Sequence, residues 1–221
     1  MFNVITDYPI AFDSPDHTSL IFENGEWVQE GGTRLDCSTN SIFNERLYQL
    51  FPTKPLFITD WGCAGGCFIE ECILDGHIGV GLEGSDYSLK RKRESWGRLP
   101  NNFFTCDISR PFQITYNNQP CLFDVITSWE CLEHLTKDGI VQLWENIKNH
   151  LKPYGIFIGS IATMHESNHH QIKEYRPWWE NSWRQQGLKD NPHIIEYFRN
   201  QFIRGPEQRA PGSFLVALTK E

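Results

Sequence analysis

The chain has 221 residues, the length of one large domain with a core of its own. With 39% hydrophobic and 22% charged residues and no polar low-complexity tract, wholesale disorder is excluded. A net charge of -8 argues against a nucleic-acid substrate, whose phosphates call for a basic face; the one dense basic run, Lys90-Arg91-Lys92-Arg93, stops at Glu94.

Residues up to about 55 read as irregular, broken by Pro9, Pro15, Gly25, Gly31 and Gly32, except for a helix carrying Ile42, Leu47, Leu50 and Phe51. From Leu56 the texture changes to alternation. Leu56-Phe57-Ile58-Thr59-Asp60 is a short strand ending in an acid, followed by Gly62, Gly65 and Gly66 and then a helix with Phe68, Ile69, Cys72 and Ile73 that Gly76 stops. His77–Glu83 is a second strand ending in an acid, with a polar helix around Tyr87–Trp96. Phe103–Asp107 reads as a third strand and Phe123–Ser128 as a fourth. A helix starting near Thr136 carries Ile140, Leu143, Trp144, Ile147 and Leu151, and a Lys152-Pro153-Tyr154-Gly155 turn leads into a fifth strand, Ile156–Ile161. Pro177 opens another helix that Gly187 ends; His193–Phe202 fits strand or helix equally; Gly212–Thr219 is a final strand.

Strands alternating with helices predict an α/β fold, a doubly wound, mostly parallel sheet with helices on both faces. Right-handed crossovers then gather the strand C-termini on one edge, where such sheets bind ligands. The expected organisation is an N-terminal cap or substrate segment, 1–55, joined in one compact unit to a domain over 56–221.

Chemistry concentrates on that edge. In Asp60-Trp61-Gly62-Cys63-Ala64-Gly65-Gly66, small residues admit a ligand close to the backbone, and a helix N-terminus follows; the same turn can also merely close a sheet. Glu83 ends the next strand, where an acid can accept hydrogen bonds from a ribose diol. Asp107 ends the third strand, and Ser128-Trp129-Glu130 follows the fourth. A dehydrogenase usually carries Gly-x-Gly-x-x-Gly around a pyrophosphate. This chain reads Gly-x-x-Gly-Gly from Gly62, and Asp60 just before it would repel phosphates but suits an ammonium group.

These segments resemble the motifs of class I S-adenosylmethionine-dependent methyltransferases of the small-molecule type, over residues from about 56 to 163. Phe57–Gly66 resembles the first motif, Gly81-Leu82-Glu83-Gly84-Ser85 the acidic second, Thr105-Cys106-Asp107-Ile108 the third, and Phe123–Leu135, ending Glu133-His134-Leu135, the fourth. Leu151–Gly155 resembles the turn before the fifth strand. Ala64 departs from the pattern, which often has Gly there. The resemblance implies a Rossmann-like sheet with an antiparallel final strand and S-adenosylmethionine as cofactor. Asp60 and Gly62 would lie beside its amino-acid part, Glu83 would hold the ribose, Asp107 and Ile108 the adenine, and Trp129 would line the pocket.

Methyl transfer to a hydroxyl needs a base. His134, after the fourth strand, and His165, after the fifth, are the candidates; each reads equally as an ordinary loop residue. His165, His169, His170 and Glu166 together raise a metal site, but adjacent imidazoles rarely converge on one ion and no set of carboxylates joins them, so no metal is expected. Asp36-Cys37-Ser38-Thr39-Asn40 with Tyr175, Trp178, Trp179 and Trp183 would offer a sugar ring polar groups beside aromatic faces, unless the tryptophans are core. The expected activity is O-methylation of a sugar or glycan hydroxyl. The alternatives are another small metabolite or a nitrogen acceptor, or a non-catalytic protein that retains the fold.

No apolar run reaches the roughly 20 residues of a membrane span. The N-terminus lacks a basic stretch followed by an apolar one, and seven cysteines are an odd number. Reduced thiols and a cytoplasmic location are therefore expected. Cys63, Cys67 and Cys72 match no zinc spacing and read as small buried thiols.

Overall fold

Strand β4 (Phe57–Trp61) is buried along almost its whole length, as a central strand covered on both faces must be. It pairs in parallel with β5 (Ile78–Glu83) on one side and β9 (Phe123–Trp129) on the other. A computed structural model gives this architecture, describing residues 1–12, 18–23, 26–31, 36–163, 170–204 and 212–221. Beyond β5 lies β6 (Phe103–Thr105); beyond β9 come β10 (Leu151–Ala162), β12 (Ser213–Lys220) and β11 (Leu188–Asp190). The seven-stranded order is β11-β12-β10-β9-β4-β5-β6, and β12 runs antiparallel to both its neighbours. The chain leaves β4 toward one side and returns to β9 on the other, so a crevice opens at their C-terminal ends.

Two apolar layers follow from the alternation of side chains along the strands. Ile58 and Val125 face a layer with Phe43, Phe68 and Phe198, whereas Trp61 and Ile126 face one with Trp144, Trp179 and Trp183. The first is covered by α1 (Ser41–Gln49), α2 (Cys67–Leu74) and α7 (Pro192–Phe198). The second is covered by α5 (Lys137–His150) and α6 (Arg176–Arg184). Helix α5 shows why: Ile140, Leu143, Trp144 and Ile147 recur at helical spacing and are buried, and Thr136 caps its first turn by accepting from Gly139 N.

The structure departs from the sequence reading in several places. The helix expected around 87–96 is two pieces, α3 (Tyr87–Arg91) and α4 (Ser95–Arg98), because Lys92 and Glu94 take φ of +48° and +44°. The 152–155 turn is absorbed into β10 as a register shift between Leu151 and Ile156. His193–Phe202 is helical as far as Phe198. The N-terminus contributes β1 (Phe2–Ile5), which pairs with β7 (Gln113–Tyr116) beside β8 (Gln119–Pro120). Strands β2 (Thr18–Glu23) and β3 (Glu26–Gly31) form a hairpin. Such short strands carry too little alternation to stand out, and β1 and β7 find each other across more than a hundred residues.

Cysteine chemistry also needs correction. Cys37 and Cys67 form a disulfide with 5.1 Å between Cα atoms, so not every thiol is reduced; Cys63, Cys72, Cys106, Cys121 and Cys131 are free. The two cysteines, 30 positions apart in the chain, are brought together only by the fold. Among the described residues no helix is long and apolar enough to cross a membrane.

A Cβ on Gly159, in β10, would lie 2.1 Å from the Ser128 carbonyl oxygen of β9. Gly159→Ala should therefore force the two strands apart. It is expected to lower unfolding free energy by at least about 2 kcal/mol in urea titrations.

Candidate functional site

The glycine turn after β4 is stitched to the tip of β5. Gly62 N and Cys63 N both donate to Leu82 O, at 2.8 and 2.9 Å, and Ala64 N donates to Glu83 Oε2 at 2.8 Å. Ala64 O in turn accepts from Ser88 Oγ and Trp96 Nε1. Gly62 and Gly66 take φ of +82° and +83°, and a Cβ on Gly66 would sit 2.3 Å from the Phe103 ring; the glycines are needed for backbone and for packing alike. Ala64 adopts φ +48°, a left-handed conformation that strains a residue with a side chain. Helix α2 starts directly behind, with Gly66 as its N-cap.

Asp60 is buried at the end of β4, and its Oδ1 accepts from Thr127 Oγ1 at 2.7 Å. Burial raises its pKa to about 7 against the pull of Thr127, and the negative charges of Asp36 and Glu83 push the same way. Glu83, also buried, uses both carboxylate oxygens, one toward Ala64 N and one toward Ser85 N. Its pKa is raised because burial outweighs these amide bonds. Asp107, half-buried two residues past β6, accepts from Ser109 N and Oγ at 2.9 and 2.6 Å. Ile108 is buried in the layer with Trp61 and Trp144.

A narrow cleft, with a cavity volume of only about 20 Å³, opens between these tips and the loop before α1. Asp60, Gly62 and Trp129 line it together with Asp36, Ser38 and Arg204. Glu83, Asp107 and Ile108 are not among its lining residues; they stand on the neighbouring tips of β5 and β6, whose pairing sets Glu83 opposite Thr105. The N-terminal segment crosses those tips: Tyr8 O accepts from Asp107 N, and Ala11 N and Phe12 N donate to Gly84 O.

Other expectations fall differently. Trp179 and Trp183 are fully buried, with Trp183 edge-on to Trp144 at 6.0 Å, so this cluster is core packing and no ligand wall; Tyr175 is exposed. His134, half-buried on a short 3-10 turn (Leu132–His134), lies beside the ring of His170. His165, with His169 and Glu166, lies outside the described residues. Sequence reasoning named Asp36 but missed Arg204, whose guanidinium pairs with it at 2.9 Å; the two lie 168 positions apart, and nothing local marks Arg204. It also assigned no role to the half-buried Glu130 and the buried Glu133 in the segment after β9.

The strand order, the reversed β12 and the acid-flanked glycine turn define a Rossmann-like methyltransferase fold. Residues 59–159 match the family model described as methyltransferase domain. That domain, on this fold, supports an enzyme that uses S-adenosylmethionine as its cofactor for methyl transfer. Solved structures share the fold at low identity. A TehB-like S-adenosylmethionine-dependent methyltransferase from Corynebacterium glutamicum is 16% identical over 81% of this chain and 88% of that one, with a TM-score of 0.57. An S-adenosylmethionine-dependent methyltransferase from Clostridium acetobutylicum is 12% identical over 82% and 92%, at 0.58. The glycopeptide N-methyltransferase MtfA is 13% identical over 82% and 90%, at 0.54. No curated protein matches the chain.

The turn's two kinds of left-handed residue should respond oppositely to substitution. Gly66→Ala is expected to cost about 2–4 kcal/mol through the Phe103 clash and the positive φ. Ala64→Gly should be neutral or stabilise by up to about 1 kcal/mol. Thermal and urea unfolding of the two variants checks both signs.

Proposed function

We propose that the enzyme transfers the methyl group to a hydroxyl of a sugar or glycan, with the cofactor laid across the tips of β4, β5 and β6. In this reading Asp60 and Gly62 meet the amino-acid end, Glu83 the ribose, Asp107 and Ile108 the adenine, and Trp129 lines the pocket. Residues 1–55 act as a cap and substrate segment to the domain at 56–221, which accords with the main-chain bonds from Tyr8, Ala11 and Phe12 to the β5 and β6 tips. The observation that carries the acceptor is the character of the cleft. Trp129 offers an aromatic face and a buried indole N–H without a hydrogen-bond partner, while Asp36, Ser38 and Arg204 supply polar groups around it. A sugar packs its C–H face on such a ring and places its hydroxyls on the polar groups.

In-line displacement at the sulfonium carbon requires the acceptor oxygen to lose its proton as the new O–C bond forms and the C–S bond breaks. His134, a few residues beyond Trp129 on the same sheet edge, is the group proposed to receive that proton; His165 is the second candidate. An amine acceptor is the alternative reading, favoured by the likeness to a glycopeptide N-methyltransferase. The two separate in a product-release assay with the matching acceptor. His134→Ala should lower turnover on a hydroxyl by on the order of 10²–10⁴, and near-normal turnover would favour an amine.

Asp60 supplies a pH signature. With its folded pKa near 7 against an ordinary 3.8, the folded state holds an extra proton between those values, so this carboxyl's contribution to stability falls as pH rises through that window. The cofactor's ammonium favours the carboxylate. S-adenosylmethionine should therefore bind tighter as pH rises through about 7 and release a proton on binding near and below that pH. Calorimetry in buffers of different ionisation enthalpy reads the proton; Asp60→Asn should bind more weakly and lose the pH dependence.

A further inference from the structure

Past β9 the chain buries a carboxyl that the proposed methyl transfer does not use. Glu133 is wholly buried, and among the described residues neither of its carboxylate oxygens has a hydrogen-bond partner. The main-chain N–H groups of Glu133 and Ala162 favour its ionised form, but neither completes a hydrogen bond of proper geometry. A buried carboxylate without partners is costly to hold, so it takes up a proton or a cation. Burial and the nearby Glu130 push its pKa well above the ordinary range, which states the same tension. Glu130 shares it: Oε1 is buried without a partner, and the backbone there stands at φ +49°.

Two imidazoles stand beside Glu133. His134 follows it on the same turn. His170 is held beside it by the Glu133 carbonyl, which accepts from Gln171 N and Ile172 N at 2.9 and 3.0 Å. His170 Nε2 lies 4.0 Å from Glu133 Oε1, too far for a hydrogen bond, and the two rings meet edge to face at 5.0 Å. One donor atom from each of the three residues falls within 4.8 Å of the other two.

We propose that Glu133, His134 and His170 form a binding site for one divalent transition-metal ion of the zinc class. Two neutral imidazoles and a carboxylate are a donor set that such ions favour, whereas Mg²⁺ prefers oxygen ligands. Ligands at about 2.0–2.2 Å from a tetrahedral ion are about 3.3–3.6 Å apart, so the cluster must contract by roughly an ångström, within reach of side-chain rotation. Three protein ligands leave one position open, for water or an acceptor oxygen. The proposed site departs from the expectation of no metal, which weighed His165, His169, His170 and Glu166 by chain spacing and left Glu133 out. It goes beyond the acceptor reading and does not rest on it, since binding is measurable without acceptor or cofactor. An ion on His134 takes the lone pair that would otherwise receive a proton, so metal content and turnover are read separately.

The test uses the full chain, stripped with a chelator and kept free of thiol reductant so that Cys37 and Cys67, which with Glu94 form another cluster of donor atoms, stay paired. Co²⁺ is titrated by visible absorption and Zn²⁺ by calorimetry. The expected result is one ion per chain, at least about tenfold weaker in Glu133→Gln and in His170→Ala, and unchanged in the Cys37→Ser/Cys67→Ser double variant. Zn²⁺ should raise the melting temperature of the parent protein and not of the two ligand variants. Should Glu133→Gln fail to fold, His170→Ala, at the rim, decides alone. Equal affinity in the parent and the ligand variants, loss of the ion on cysteine substitution, or binding of Mg²⁺ as tight as Zn²⁺ would overturn the assignment. Absence of binding would mean that Glu133 is held neutral by a proton.

Discussion

The clamp between the glycine turn and the tip of β5 is what the site depends on. One carbonyl, Leu82 O, takes two amides of the turn, and one carboxylate, Glu83, takes a third. These bonds force the chain through left-handed conformations at Gly62, Ala64 and Gly66. They deliver it to α2 with the first turn of that helix facing the sheet edge. Asp60 is set beneath the turn by the same geometry, and Trp129 faces it across the β4–β9 crevice. A turn released from β5 would lose the wall that Gly62 gives the cleft.

The second theme is an excess of buried negative charge. Asp60, Glu83, Glu130 and Glu133 all lie at the C-terminal edge of the sheet, and burial raises the pKa of each. Low local dielectric makes unpaired charge expensive and paired charge strong. Such an edge favours cationic groups, and main-chain and hydroxyl donors already hold Asp60 and Glu83. Arg204, paired with Asp36 at the cleft, relieves only part of it. Stability and function pull against each other here, as at many sites that violate the rules of a quiet core.

The aromatic residues divide by the layer they serve. Trp61, Trp144, Trp179 and Trp183 fill the interior under α5 and α6. Trp144 Nε1 donates to Ser182 Oγ at 2.9 Å and Trp179 Nε1 to Glu174 O at 3.2 Å, which anchors those two rings. Trp129 sits in the opposite layer beside Phe43 and Phe202 and lines the cleft; among the described residues its indole N–H, like that of Trp183, has no hydrogen-bond partner. One residue type thus plays two parts, and the strand face decides which.

Much of this was legible in the chain itself. Apolar runs ending in acids, glycines after the first of them and the helical spacing of Ile140, Leu143, Trp144 and Ile147 are local signals, and local signals survive without the fold. They specify the parallel sheet, its edge of carboxylates and the cofactor. Tertiary structure alone decided what distant segments do to one another: the Cys37–Cys67 disulfide, the Asp36–Arg204 pair, the burial of the Trp178–Trp183 helix face, the β1–β7 pairing and the meeting of Glu133 with His170. None of these has a sequence period, because each joins residues whose nearness depends on two other elements having already packed.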